Sequence, residues 1–286
     1  MFKYGVITDE ISQDIYEACD LAHKYNLDGI EIRSVNERGP HELTREDIEQ
    51  IKDAMTKNSL ECCAISSPVF KCNLNDKDIE ANIEILNKCI LLAKELGTKY
   101  IRSFTFFKEK DLDDVLDDIV NVYKRLETVL ESEDIYLLLE FDPSVYASCG
   151  ETLAKIIRAI DMDRVKGLWD PGNDIYSPEK EVPYPDGYNH MKDFVTHVHI
   201  KDAKPNSDGT ITGVAFGDGD VDFKGQIAAL KADGYDGYLV METHYRVKKD
   251  IPEELLTMPK GSMFSLGGYE ATEECFENFF KLIREF

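Results

Sequence analysis

Eight short apolar runs recur along the chain, roughly 25 to 40 residues apart, and this repetition is the feature that most constrains the fold. The runs cover residues 4–8, 29–33, 60–66, 100–105, 135–140, 165–170, 195–199 and 237–242. Near-continuous apolar runs of this length are typical of parallel strands that are buried on both faces. Eight of them predict an α/β fold with a single (β/α)₈ TIM barrel, because a doubly wound sheet more often has about five or six strands.

Helical patterns fill the segments between these runs. Apolar residues in the first segment, between residues 11 and 25, recur at the spacing that places them on one helix face. The second segment has its own start signals, with Thr44 as the N-cap and Asp47 three residues later. Further helices are expected near residues 77–96, 111–132, 150–160, 222–233 and 269–285.

The composition argues against nucleic acid and anionic membranes as binding partners. The chain has 56 acidic and 33 basic residues, and its net charge of −23 repels nucleic acid and anionic membranes. No apolar run approaches the ~20 residues of a membrane helix, and the first residues carry no secretory signal pattern. The seven cysteines include no C-x-x-C pair, which argues against a disulfide framework. We therefore expect one cytoplasmic domain over residues 1–286 that binds a small molecule, and a homo-oligomer remains open.

Four of the runs end on side chains that can bind a metal. Glu140, Asp170, His199 and Glu242 follow the apolar residues of runs five to eight. In a barrel the C-terminal ends of all strands meet at one mouth, so these groups should lie close together. Three carboxylates would repel each other there unless a cation lies between them. This mixture of oxygen and nitrogen ligands suits Mn²⁺ as the first choice, with Mg²⁺ and Co²⁺ as alternatives.

Short motifs in nearly every part of the chain carry a family resemblance. They are Thr8-Asp9-Glu10-Ile11-Ser12, Gly29-Ile30-Glu31-Ile32, Leu139-Glu140, Trp169-Asp170-Pro171-Gly172-Asn173, His197-Val198-His199-Ile200-Lys201-Asp202, Gly217-Asp218-Gly219-Asp220-Val221-Asp222-Phe223 and Gly234-Tyr235-Asp236-Gly237-Tyr238 leading into Glu242-Thr243-His244. In their order and spacing they resemble the sugar phosphate isomerase/epimerase family, whose fold is a xylose-isomerase-like TIM barrel. The resemblance implies that Glu140, Asp170, His199 and Glu242 are ligands of a divalent metal.

Two histidines compete for the ligand position on the seventh run. His197 and His199 are two residues apart, so their side chains face the same side of a strand. His199 lies nearer the C-terminal mouth, and the family's His-x-Lys-Asp pattern also selects it. We therefore expect His199 to be the ligand and His197 to lie in the core or behind the ligands.

Four further residues are candidates for binding a substrate, and they are Lys201, Glu31, Arg102 and His244. Lys201 follows the predicted ligand and could either orient a substrate oxygen or form an ion pair that fixes its loop. Glu31 and Arg102 end runs two and four, and a pair between them across the barrel is slightly favoured over direct substrate contact. His244 lies just beyond Glu242 and could reach a substrate.

The predicted activity is a metal-dependent isomerisation or epimerisation of a keto or aldo sugar. Glu140 and Glu242 would act as base and acid on opposite faces of the substrate, through an enediolate. The main alternative uses the same metal site for β-elimination, as a lyase or a C-glycoside-cleaving subunit that acts on 3-keto sugars. An endonuclease is disfavoured by the negative charge, and a non-enzymatic sugar-binding role is a weaker alternative.

Two loops are expected on the catalytic face. Residues 171–189 and 245–268 follow runs six and eight and are rich in Pro, Gly and Tyr. The second is a candidate lid or oligomer contact. The Gly217-Asp218-Gly219-Asp220 motif lies where barrels often bind phosphate, but its acidic residues argue against that use here.

Overall fold

Each of the eight predicted runs overlaps one strand of a closed parallel barrel in the computed structural model. The structure describes residues 1–247, 251–252, 254–255 and 258–286. The barrel strands are β1 (Lys3–Ile7), β2 (Gly29–Ile32), β3 (Glu61–Ile65), β4 (Tyr100–Ser103), β5 (Tyr136–Glu140), β6 (Val165–Trp169), β7 (Val195–Ile200) and β10 (Tyr238–Met241). They pair in chain order, and β10 closes the ring against β1. The predicted (β/α)₈ barrel is confirmed.

The helices surround this barrel. Within the described part of the chain they are α1 (Ile15–Lys24), α2 (Arg45–Asn58), α3 (Asp76–Leu96), α4 (Leu116–Lys124), α5 (Glu127–Ser132), α6 (Gly150–Ile160), α7 (Pro171–Tyr176), α8 (Tyr188–Met191), α9 (Phe223–Ala232), α10 (Gly261–Ser265) and α11 (Gly268–Ile283). Thr44 and Asp47 cap α2 reciprocally, as predicted. The single helix expected at 111–132 is wrong, because Leu126 N–H donates to the Tyr123 carbonyl three residues back, and this tight turn separates α4 from α5.

The apolar residues form two layers. A large cluster lies between strands and helices, and smaller sets fill the barrel, among them Ile7, Cys63 and Val240 in one set and Ala64, Leu138 and Leu168 in another. Side chains alternate along a strand, so Glu140 lies on the same inner face as Leu138, two residues earlier. Glu242, two residues after Val240, continues the inner face in the same way. The barrel core therefore ends at a layer of charged side chains.

A hairpin that the sequence pattern did not predict follows β7. It consists of β8 (Asp202–Pro205) and β9 (Ile211–Val214), which pair antiparallel with Asp202 opposite Val214. The turn at its tip contains Gly209, whose φ of 88° favours glycine. Asn206, Asp208 and Gly209 are turn-forming residues and were the available sequence signal. The hairpin forms one wall above the charged layer.

No helix in the part of the chain that the structure describes combines the length and apolar character needed to cross a bilayer.

Candidate metal and substrate site

The four predicted ligands meet at the C-terminal mouth of the barrel. Glu140, Asp170, His199 and Glu242 each offer one ligand atom, and these four atoms all lie within 4.8 Å of one another. All four residues are buried, at 3% exposure or less. Three carboxylate oxygens and one imidazole nitrogen at this spacing fit a divalent cation that prefers oxygen ligands.

The two glutamates use their oxygens differently. Oε1 of Glu140 lies 3.2 Å from His199 Nδ1, while its Oε2 accepts a hydrogen bond of 3.0 Å from Arg102. Oε2 of Glu242 lies 3.5 Å from the same nitrogen, while its Oε1 accepts a 2.7 Å bond from Arg33. We call the oxygens that face the cluster inner oxygens and the others outer oxygens. The arginines hold both glutamates by their outer oxygens.

Asp170 is held in the same way by the backbone. It is the N-cap of α7, and its Oδ1 accepts a 3.0 Å hydrogen bond from Gly172 N–H. Its inner oxygen, Oδ2, lies 2.5 Å from Lys201 Nζ. Lys201 also donates a 2.9 Å hydrogen bond to the inner oxygen of Glu242. The lysine therefore lies in the predicted site, where it contacts two of the four candidate ligands.

Burial and neighbouring charges shift the pKa values of these groups in different directions. Burial raises the pKa of Asp170 to about 7, despite the opposing effect of Lys201. Burial also disfavours the charged form of Glu242, but Lys201 and His244 hold its pKa well below the ordinary value. For His199, the adjacent carboxylates of Glu31, Glu140 and Glu242 overcome burial and raise the pKa well above the usual range. A metal would therefore have to displace a proton from His199.

Glu31 lies beneath the four candidate ligands, in contact with two histidines of β7. Its carboxylate contacts His197 Nε2 at 2.7 Å and His199 Nε2 at 3.2 Å, and it is fully buried. This contact leaves His199 Nδ1 facing the candidate ligands, as a carboxylate behind a metal-binding histidine does. The expected pair between Glu31 and Arg102 is wrong, because Arg102 bonds to Glu140 on the adjacent strand. His197 lies in the core, in agreement with the prediction.

Several charged residues near the first strand are part of the site but were not singled out from the sequence. Arg33 bonds to Asp9 and Glu10 as well as to Glu242, and all three carboxylates are buried. His244 Nδ1 lies 2.8 Å from Glu10 Oε1. Arg33 directly follows β2. It is therefore a charged residue at the C-terminal end of an apolar run, which is the same sequence pattern that predicted the four ligands.

A cavity of about 770 Å³ reaches two of the four candidate ligands, Glu140 and Glu242, while Asp170 and His199 do not line it. Its lining includes Glu140 and Glu242 together with the predicted substrate residues Lys201, Arg102 and His244. Glu31 is not part of this lining. Further lining residues are His41, Lys71, Phe104, Asp142, Asn173, Tyr176, Thr210, Ile211, Thr212 and Lys260. The cavity is large enough for a sugar with a substituent.

The hairpin closes one side of this cavity. Thr210, Ile211 and Thr212 line it, and Gly213 packs directly against the backbone of His244. A β-carbon at position 213 would lie 2.2 Å from the His244 carbonyl oxygen and 3.4 Å from the Tyr176 hydroxyl oxygen. Only glycine permits this approach.

The loop at Gly217-Asp218-Gly219-Asp220, which was not expected to bind phosphate, holds an anion that belongs to the chain itself. The N–H groups of Gly217 and Gly219 donate to Asp202 Oδ2 at 2.9 and 3.0 Å, and Ala203 and Val221 donate to its Oδ1. A carboxylate therefore occupies the place where this kind of loop would bind a phosphate.

The loop after β10 contributes to the rim of the cavity. Ile251, Met258, Pro259 and Lys260 line it, and Lys260 forms an ion pair with Glu42 across the opening. Residues 248–250, 253 and 256–257 of the expected lid or oligomer contact lie outside the described residues. Further along, the Phe264 ring lies between the guanidinium groups of Arg33 and Arg246, with 4.8 and 4.9 Å from the ring centre to each Cζ.

Comparison with known proteins identifies the family. No curated protein matches the sequence. Three similar solved structures have 17–18% sequence identity, which supports the fold alone. They are 3-keto-D-glucoside 4-epimerase YcjR from E. coli (17% identity, TM-score 0.72, 99% of this chain and 100% of that one), D-allulose 3-epimerase from Methylomonas sp. in complex with D-allulose (17%, 0.73, 98% and 96%), and IOLI protein with a binding zinc atom (18%, 0.74, 99% and 99%). A family model described as xylose isomerase-like TIM barrel matches residues 19–260, and the chain therefore belongs to that family.

Proposed function

We propose that this protein is a divalent-metal-dependent isomerase or epimerase of a keto or aldo sugar. The observation that carries the proposal is the group of four ligand-capable atoms within 4.8 Å of one another, two of whose residues, Glu140 and Glu242, line a cavity of about 770 Å³. The two epimerases of similar fold act on a 3-keto-glucoside and on allulose, and a third similar structure binds zinc. These similarities support a sugar substrate and a divalent metal.

Glu140, Asp170, His199 and Glu242 would hold the metal. The donor set favours Mn²⁺, with Mg²⁺ and Co²⁺ as alternatives, because carboxylate oxygens outnumber the single imidazole. A bound cation would polarise a substrate carbonyl and make the adjacent C–H more acidic. Gly172 N–H, Arg102 and Arg33 fix the three carboxylates from behind, so their inner oxygens keep one orientation.

Glu140 and Glu242 are the proposed acid and base. Glu140 is the last residue of β5 and Glu242 follows β10. These strands lie three apart in the ring, so the two glutamates would face a substrate from different sides. One would remove the proton next to the carbonyl and give an enediolate, and the other would return a proton. Return to the opposite face of the same carbon is epimerisation, and return to the neighbouring carbon is isomerisation. Lys201, Arg102 and His244 would donate hydrogen bonds to substrate oxygens.

The charges that line the cavity favour an uncharged sugar. Lys71 bonds to Asp142, Arg102 to Glu140, and Lys260 to Glu42. The loop at Gly217 and Gly219 is filled by the Asp202 carboxylate. A phosphate group would therefore have to break an existing ion pair or displace this carboxylate to be bound. An unphosphorylated substrate meets no such cost.

Deuterium incorporation tests the proposal. The protein, supplied with Mn²⁺, is incubated in D₂O with a panel of keto and aldo sugars, and the products are followed by NMR spectroscopy. We expect a product deuterated at the carbon next to the carbonyl. Turnover without deuterium would contradict the enediolate scheme. Release of an aglycone from a 3-keto glycoside would instead show the β-eliminating lyase reaction.

A further inference from the structure

The Lys201 ammonium group contacts the same oxygens that the proposed cation would need. Nζ lies 2.5 Å from Asp170 Oδ2 and 2.9 Å from Glu242 Oε2, and both are inner oxygens. The Lys201 side chain is only 6% exposed, so this contact is shielded from water. A buried ammonium group and a divalent cation that share two oxygens would repel each other strongly.

The two arginines that bond to the candidate ligands do not make this contact. Arg102 bonds to the outer oxygen of Glu140 and Arg33 to the outer oxygen of Glu242. These two arginines can therefore stay in place when a cation binds the inner oxygens. Lys201 differs from both, because its partners are the candidate metal-binding atoms themselves.

The carboxylates are fixed and the lysine is the group that can move. Asp170 is held by Gly172 N–H, and Glu242 is held by Arg33. Lys201 has a flexible four-carbon side chain and lines the cavity. When the inner oxygens bind a cation, the open direction for Nζ is thus the cavity, where a substrate would lie.

We infer that Lys201 and the divalent cation compete for the inner oxygens of Asp170 and Glu242, and that cation binding transfers the Lys201 ammonium group to the substrate cavity. This inference rests on the proposed metal site. It makes Lys201 a positioning residue in the metal-free protein and a donor to a substrate oxygen in the metal-loaded protein. Metal binding would then prepare the substrate site as well as the reaction centre.

Metal affinity tests the competition directly. Mn²⁺ binding to the wild type and to Lys201→Met is measured by electron paramagnetic resonance, which detects the free ion. Arg102→Met is the matched control, because the bond of Arg102 to the candidate ligand Glu140 goes to the outer oxygen. We expect Lys201→Met to bind Mn²⁺ at least about tenfold more tightly than the wild type, with a smaller gain for Arg102→Met. Lys201→Gln provides a second variant if the methionine variant does not fold.

A crystal structure of the Mn²⁺-loaded wild type supplies the second measurement. Lys201 Nζ is expected beyond hydrogen-bonding distance of Asp170 Oδ2 and directed into the cavity. The inference is overturned if Nζ still joins Asp170 and Glu242 beside a bound ion, or if Lys201→Met gains no more affinity than Arg102→Met. Absence of Mn²⁺ binding in the wild type and in every variant would contradict the metal site itself, which separates that failure from this one.

Discussion

Replacing Gly213 with alanine should displace the hairpin wall of the cavity. The new β-carbon would lie 2.2 Å from the His244 carbonyl oxygen, a backbone atom that cannot rotate away. Relieving this overlap requires β9 and the segment at His244 to separate by about 1 Å, at a cost of about 1–3 kcal/mol for overpacking. A displacement of that size near reacting groups can lower the catalytic rate by about 10²-fold.

The deuterium-incorporation assay gives kcat/KM for Gly213→Ala, and urea denaturation gives its free energy of unfolding. Gly209→Asn is the control, because position 209 has no atom near its β-carbon and asparagine tolerates its φ of 88°. We expect kcat/KM to fall for Gly213→Ala and to stay near the wild-type value for Gly209→Asn. Wild-type activity and stability in Gly213→Ala would refute the argument that this close approach shapes the site.

Three further predictions concern charge and metal. Glu140→Gln and Glu242→Gln should each lower turnover by at least about 10²-fold, which is the usual effect of a missing acid or base. The control is Glu61→Gln, which changes an exposed glutamate and should leave turnover unchanged. Near-normal turnover in both Glu140→Gln and Glu242→Gln would contradict their proposed roles. Burial, together with repulsion from the Glu181 carboxylate, raises the pKa of Asp174 to about 9. Between about pH 4 and about pH 9 the folded protein keeps a proton on Asp174 that the unfolded chain releases. The contribution of Asp174 to the free energy of unfolding is therefore fully present below about pH 4 and is lost as the pH rises toward 9. At pH 8, the free energy of unfolding of Asp174→Asn should therefore exceed that of the wild type by about 1 kcal/mol or more. Urea denaturation should show a smaller difference at pH 5. An equal difference at both pH values would contradict this prediction. Adding Mn²⁺ at about 100 times its Kd to chelator-treated protein should stabilise it by about 2.7 kcal/mol, seen as a rise in Tm that Glu242→Gln does not show.

The strand ends were predictable because burial and topology both act on them. An apolar run that stops at Glu140 or Glu242 marks where the barrel core ends, and the parallel topology brings all such ends to one mouth. The strand alternation then places these residues on the inner face, two positions after Leu138 and Val240. The four residues predicted as ligands meet for this reason.

Contacts between side chains were less predictable, because sequence position gives a residue's height in the barrel but not its direction around the ring. Arg102 and Glu31 lie near the ends of their strands, yet β3 separates these strands, and the partner of Arg102 is Glu140 on the adjacent strand β5. The hairpin was missed for a different reason. Each of its strands has only four residues, which mix polar with apolar side chains, so neither shows the near-continuous apolar pattern that revealed the barrel strands.

The contact of Glu31 with His197 and His199 joins two walls of the barrel that are not adjacent. Glu31 belongs to β2 and the histidines to β7, with β1 and β10 between them on the shorter way round. The contact therefore connects β2 to β7 through the inside of the barrel, below its C-terminal mouth. An outward movement of either wall would stretch this contact and turn the imidazole of His199. A distortion that begins far from the cavity, on the side of α1 or α2, would therefore reach the proposed metal site through the Glu31 carboxylate.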